Sequence, residues 1–319
     1  MGKLSAFQSI SSILGLRRDL VQAGGGNTSI KIDETLYIKA SGRCLYDMSD
    51  AEHISKVSLN DASKHFNRLK QFSEKFLRDK EAKVILEKLS PIPIPSMETF
   101  MHLILGECVF HFHDSRYLAL PSSKKLIASL EEAGLTVFEI DYVEPGLALA
   151  YEILSLTRKC TSEIDVILLK NHGVIFNGTS LESCLEKLQN FDAFFDRKDL
   201  SYEIAKYLPL NSFVRKTERI SCIELYEYAP LTPDMVIYIG DKIHSIESEH
   251  DLPNLLGKGF RINVVIINED VYILSKNKKR VLDIEDMLEE YCSLKGKLTP
   301  LDIEYVLSID SLPLEKNRK

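Results

Sequence analysis

Leu4, Phe7, Ile10 and Leu14 recur at helical spacing, so residues 4 to 16 predict an opening amphipathic helix. Gly24-Gly25-Gly26-Asn27-Thr28-Ser29 breaks that pattern with a turn. Two short alternating or apolar runs follow, Ser29-Ile30-Lys31-Ile32 and Thr35-Leu36-Tyr37-Ile38-Lys39, parted by Asp33-Glu34, and they predict a β-hairpin. Ala40-Ser41-Gly42 ends its second strand in a loop of small residues. From Asp50 to Ser90 the chain is rich in Lys, Glu, Leu and Phe and reads as helical with polar connections. Pro91-Ile92-Pro93-Ile94-Pro95 cannot continue a helix, because each proline drives the residue before it towards extended backbone. Ser96 then reads as an N-cap, with Glu98 in the first turn and an apolar face through Phe100, Leu103 and Ile104.

Cys108 to Phe112 predicts a strand, Ser122 to Ala133 a helix stopped by Gly134, and Leu135 to Ile140 a further strand. Pro145-Gly146 opens a helix reaching Thr157, and the apolar run Ile164 to Leu169 reads as an interior strand. Lys170-Asn171-His172-Gly173 turns the chain into a strand at Val174 to Phe176, and a long helix follows from Leu181 to Phe195. This alternation predicts a central sheet with helices on both faces. After Leu210 the character changes. Met235 to Ile239 reads as a strand, Asn263 to Ile267 and Val271 to Leu274 as a hairpin-like pair, and Asp283 to Leu294 as a helix. The expected organisation is therefore a domain over residues 1–212 and a C-terminal α+β extension over 213–319.

Apolar residues make up 45% and charged residues 27% of the 319, ordinary values for a globular protein. The net charge of -7 gives no basic footprint for nucleic acid. Lys276-Asn277-Lys278-Lys279-Arg280 is a local basic run, read as a solvated turn. Six scattered cysteines without a C-x-x-C pair argue for reduced thiols and a cytoplasmic protein. No apolar run approaches the roughly 18 residues of a membrane span, so no membrane partner is expected. Ala6 stands where a myristoylation motif wants Ser or Thr, and residues 4–16 are too interrupted for a signal peptide.

Chemistry concentrates at His111 and His113. On a strand, residues i and i+2 face one way, so the two imidazoles project side by side, a pair suited to zinc or a similar divalent ion. The same spacing also suits a surface or hydrogen-bonded pair, and alone it does not decide. The glycine loop is equally open: it serves as a plain turn or as an anion cradle of backbone N–H groups with Asn27, Thr28 and Ser29 adding donors. His102 falls four residues after Glu98 and shares a helix face with it, read as a packing or supporting residue. Asp114 should point to the opposite strand face from His113, and His53, His65, His244 and His250 have no partner pattern.

Taken in order, Gly24-Gly25-Gly26-Asn27-Thr28-Ser29, Ser41-Gly42, Pro95-Ser96-Met97-Glu98-Thr99, His111-Phe112-His113 and Lys170-Asn171-His172-Gly173 resemble the class II aldolase/adducin family. The pattern covers about residues 15 to 195 and is most similar to the longer, rhamnulose-1-phosphate-aldolase-like members, whose extension Leu231-Thr232-Pro233-Asp234 also resembles. The resemblance implies a three-layer αβα domain with a central mixed or antiparallel sheet. It implies that His111, His113, His172 and Glu98 hold Zn2+ or another divalent metal that stabilises an enediolate, with Glu98 then acting as general acid and base. It places Gly26, Asn27, Ser41, Gly42 and Ser96 around a substrate phosphate, with Thr28, Ser29 and Lys39 as further candidates, although Lys39 suits a solvated strand position as well. Tyr142 is the candidate proton donor to an aldehyde fragment.

Gly24 and Met97 depart from the hydroxyl-bearing residues of short aldolases in the family, which leaves the phosphate less secure than the metal. The implied activity is reversible carbon–carbon cleavage of a ketose phosphate. Epimerisation, decarboxylation or dehydration would share the metal site, and adducin-like members use the fold as an interaction module without the ligands. Glutamate at position 98 favours the lyase, because aspartate there marks some epimerases. The family's habit implies a homo-oligomer, in particular a tetramer.

Overall fold

The computed structural model describes residues 2–69, 75–195, 199–209, 212–231, 235, 238–240, 242–256, 262–295 and 300. Contacts divide the chain into two compact units, residues 1–198 and 199–319. The division falls earlier than the change in composition suggests, because Leu200 and Ile204 pack with Val214, Val265 and Tyr272 of the second unit.

In the first unit, helix α1 (Lys3–Leu14) precedes the hairpin β1 (Asn27–Ile32) and β2 (Thr35–Lys39). Strand β3 (Ile54–Ser58) then pairs antiparallel with β2, where the composition suggested helix. Ile54 and Val57 are buried while Lys56 is exposed, a pattern too short to stand out beside the charged helices that follow. Those are α2 (Leu59–Leu69) and α3 (Lys75–Leu89). The proline run is non-helical as expected, with a bridge from Pro95 to Ala40. Helix α4 (Thr99–Ile104) starts two positions later than expected, so Glu98 rather than Ser96 is its N-cap residue. Ser96 accepts from Glu98 N at 3.3 Å and leads into that cap.

Strand β4 (Cys108–Phe112) is wholly buried. Asp114 caps the short helix α5 (Ser115–Leu118) by accepting from Arg116 N and Tyr117 N. Then follow α6 (Lys124–Glu132), β5 (Val137–Ile140), α7 (Leu147–Lys159), β6 (Val166–Leu169), β7 (Gly173–Gly178) and α8 (Leu181–Phe194), whose N-cap Ser180 accepts from Ser183 N. Among the described residues the strands form a seven-stranded sheet in the order β3-β2-β1-β4-β7-β6-β5. All pairs are antiparallel except β5 with β6, so the sheet is mixed as the resemblance implied.

Side-chain alternation splits β4 between two layers. Val109 joins Ile167 and Ile175 in a core covered by Phe66, Ile85, Phe100, Met101 and Ile153 from α2, α3, α4 and α7. Phe112 packs on Phe176, which meets Phe191 of α8 on the other face. His111 and His113 share the Val109 parity, which turns them towards the start of α4. The domain is thus the expected three-layer αβα fold, and β4, at its centre, carries the histidines.

Among the described residues the second unit has a four-stranded sheet in the order β8-β11-β10-β9, with β8 Phe213–Thr217, β9 His244–Ile246, β10 Val264–Ile267 and β11 Asp270–Ser275. The expected β10–β11 hairpin is present, and the helix after it runs over Lys278–Leu294, capped by Asn277. The basic run is therefore the start of that helix rather than a solvated turn, and Arg280 lies 4.4 Å above the Tyr238 ring. The expected strand at Met235 to Ile239 is corrected: Met235 and Tyr238 are helical, and Ile239 N donates to Met235 O at 2.9 Å. Thr232, Pro233 and Asp234 of the implied family segment lie outside the described residues. No helix among the described residues is long and apolar enough to cross a membrane, and all six cysteines are free.

Candidate metal centre

Three strand-end features bring the imidazoles together. His111 and His113 leave β4 on one face, and the antiparallel pairing of β4 with β7 brings the turn at 170–173 alongside. Gly173 makes that approach possible, since a Cβ there would sit 2.1 Å from Phe112 O. The ring centroids of His111, His113 and His172 lie 4.8 to 5.2 Å apart, all edge-on. One ligand nitrogen from each lies within 4.8 Å of the others.

Glu98 closes one side of this triangle. Its Oε2 is 3.4 Å from His111 Nε2 and its Oε1 3.5 Å from His172 Nε2. These are not ion pairs of charged imidazoles. Burial, with the neighbouring His113 adding to it, pushes His111 down to about 3. Burial and then His111 push His172 down to about 4, and burial lowers His113 as well. The rings are neutral at pH 7, as metal ligands must be.

The unbonded atoms fit a cation. His111 Nε2 and Glu98 Oε1, on the side where the carboxylate meets the rings, are buried and have no hydrogen-bond partner. Each such group costs about 1–3 kcal/mol in an interior unless something binds it. His111 Nδ1 lies 3.2 Å from Val174 O, an acceptor, so this nitrogen carries the proton and Nε2 presents its lone pair. Three imidazoles with an adjoining carboxylate match a site for zinc or a similar ion.

The other sequence candidates divide by strand parity. Asn27 is paired with His111 across β1 and β4 and faces the same way. Its Nδ2 donates to Glu98 Oε2 at 2.7 Å and to Ser96 Oγ at 3.3 Å. Ser29 lies on that face too, but its hydroxyl is 2.7 Å from His102 Nδ1. Thr28 points to the opposite face, 2.7 Å from Ser11 Oγ of α1, and does not join the site. Gly26 has φ +65° and backs against His111 O, a place no side chain fits without strain.

Lys39 is not a solvated strand lysine. It is 3% exposed, and its Nζ donates to Gly24 O at 3.0 Å and Arg43 O at 2.6 Å, pinning the glycine loop to the loop that carries Ser41 and Gly42. Burial lowers its pKa. Ser41 and Gly42 are exposed, and Ser41 N is taken by Ile94 O. Tyr142 is 60% exposed beyond β5. His102 is the supporting residue that the sequence suggests: it is fully buried and bonded to both Asn27 and Ser29. The four-residue step from Glu98 was its only signal.

The family described as Class II Aldolase and Adducin N-terminal domain matches residues 7–196. An uncharacterized oxidoreductase, YuxG, of Bacillus subtilis (strain 168) is 26% identical over 225 residues, 65% of this chain, which spans about a third (32%) of that relative. Among solved structures, the N-terminal class II aldolase domain of a conserved protein from Thermoplasma acidophilum is similar at 27% identity and a TM-score of 0.49, covering 60% of this chain and 92% of that one. An L-fuculose-1-phosphate aldolase from Thermus thermophilus is similar at 17% identity and a TM-score of 0.40, covering 64% and 94%. The family match takes in more than half of the chain and all four groups of the centre: this protein belongs to the class II aldolase and adducin family.

Proposed function

We propose that the first unit is a divalent-metal-dependent lyase that reversibly cleaves a carbon–carbon bond of a ketose phosphate or a closely related sugar phosphate. The observation that carries this reading is the set of three neutral imidazoles whose nitrogens face one another, with the Glu98 carboxylate against two of them. His111, His113 and His172 would hold the ion, with Glu98 as the fourth ligand until substrate arrives. When bound, a divalent ion supplies Lewis acidity towards the carbonyl and adjacent hydroxyl oxygens of a ketose, worth several kcal/mol in such chemistry.

The chain's own groups do the rest. Glu98, held through Oε2 by Asn27, keeps Oε1 free to give or take a proton at the reacting carbon. Gly26, Asn27, Ser41, Gly42 and Ser96 form the candidate anion cradle, which Lys39 braces from beneath. Tyr142, exposed at the end of β5, is the candidate donor to the aldehyde oxygen. We extend the reading to a cytoplasmic homo-oligomer, a tetramer by family habit, which light scattering would measure.

The test is a retro-aldol screen of ketose 1-phosphates, with and without chelator, with products identified by mass. Equimolar ketone phosphate and aldehyde, abolished by chelation, is the expected result. A changed configuration without fragments would replace lyase by epimerase. Bound metal with no turnover of any kind would favour an interaction module.

A further inference from the structure

We propose that His102 is a positioning residue: through Asn27 it fixes which way the Glu98 carboxylate faces. The proposal rests on the reading of Glu98 as the proton-transfer group. His102 sits on α4, one turn beyond Glu98, and is fully buried. Its Nε2 contacts Asn27 Oδ1 and its Nδ1 lies 2.7 Å from Ser29 Oγ. The chain Ser29–His102–Asn27–Glu98 therefore runs from the middle of β1 through the helix and back to the carboxylate.

Its polarity follows from elementary donor and acceptor rules. An ionised carboxylate only accepts, so the Asn27 atom 2.7 Å from Glu98 Oε2 is the amide nitrogen. The amide oxygen then faces His102, and His102 Nε2 must carry the hydrogen. Nδ1 is left with a lone pair, and the Ser29 hydroxyl donates to it. No link can be reversed alone without opposing two donors or two acceptors. Burial pushes His102 well below its ordinary value, in keeping with a neutral ring of one fixed tautomer.

Strand and helix geometry make the relay possible. Asn27 and Ser29 are two apart on β1 and face one way, spanning the two nitrogens of a single ring. His102 is not among the clustered imidazoles, so the relay is separate from the candidate ligand set. Its product is an oriented Glu98: Oε2 is held by Asn27, while Oε1 faces His172 Nε2 at 3.5 Å. Locking a reacting group through buried partners is how a site keeps its geometry before substrate arrives.

The first measurement needs no turnover. Long-range proton–nitrogen correlation spectra of the full chain, zinc-loaded and after chelation, report the tautomer, with His102 assigned by its loss in His102→Gln. A hydrogen on Nε2 and a bare Nδ1 in both states is expected; a ring protonated on Nδ1 overturns the proposal. The second uses the retro-aldol assay. His102→Leu should lower kcat about 10–100-fold with little change in KM, the usual range for groups that orient reacting residues. His102→Gln, whose amide can offer N–H to Asn27, should recover most of that loss. Equal losses in both variants, or a wild-type kcat in His102→Leu, would also overturn it. If no substrate turns over, the lyase reading fails while the tautomer result still decides the relay.

Discussion

Two buried polar clusters meet at the end of β4, with His113 in one and Asp114 in the next. In the second, Arg17 reaches Asp19 at 2.8 Å and Asp192 at 2.6 Å, while Arg116 reaches Asp114 at 2.6 Å, Asp192 at 2.8 Å and Asp19 at 3.2 Å. Arg116 also lies 4.8 Å above the Phe195 ring. Every charge there faces an opposite one, and the network ties the segment before the glycine loop to β4 and α8. The histidine cluster is the reverse: its rings are uncharged, and two ring nitrogens and a carboxylate oxygen are buried with nothing bonded to them. What differs is charge: paired charges hold the fold together, while uncharged rings and a carboxylate oxygen without hydrogen-bond partners suit something that binds.

The largest expected effect tests the unsatisfied side. Glu98→Gln preserves size and lets Asn27 still donate to an amide oxygen, so the fold and the three imidazoles should survive. Loss of the carboxylate should lower kcat by about 10²–10⁴, the range for a positioned acid or base. Turnover measured beside bound zinc per chain would check it. A wild-type rate would remove Glu98 from the chemistry.

Arg116→Met tests the charge-paired side. Removing one partner leaves buried carboxylates facing each other, which destabilises by about 3–5 kcal/mol in comparable cases. Urea unfolding would show it as a lower midpoint, with the zinc content of the folded fraction retained. A shift of only a few tenths would mean that water already screens this network.

Acid separates the clusters next. His111 and His172 resist protonation in the folded protein down to about 3 and about 4, whereas an unfolded imidazole takes a proton near 6.5. Between those limits the unfolded chain binds more protons, so stability falls as pH drops from about 6.5 towards 4 and is fully present above that window. Chelated protein should therefore show a lower urea midpoint at pH 5 than at pH 7, and His111→Leu should flatten part of that slope. Equal midpoints in the chelated wild type would mean that the rings titrate normally and are not held neutral.

The sequence carried the architecture because its signals are local. Helical spacing marked α1, the Asp33-Glu34 turn marked the hairpin, and the His-x-His alternation marked one face of β4. Strand β3 gives no such signal, because its two apolar residues, Ile54 and Val57, stand three apart and do not alternate, and the apolar run at Met235 suits helix and strand alike. The His102 relay was out of reach, since it depends on the register of β1 against β4 and on where α4 docks. Thr28 is different: strand parity alone separates it from Asn27.

Asn27 and Thr28 are neighbours on a strand, so only one of them can face the histidines. The pairing of Asn27 with His111 decides which, and Thr28 turns to α1, where its hydroxyl meets Ser11 at 2.7 Å with both side chains buried. Thr28→Val keeps the branched shape that suits the strand but removes one partner of a buried pair, leaving Ser11 unmatched. The expected loss is about 1 kcal/mol, read from the urea midpoint, with KM for the proposed sugar phosphate unchanged. A raised KM at wild-type stability would return Thr28 to the anion cradle and show that β1 leaves its strand pairing when substrate binds.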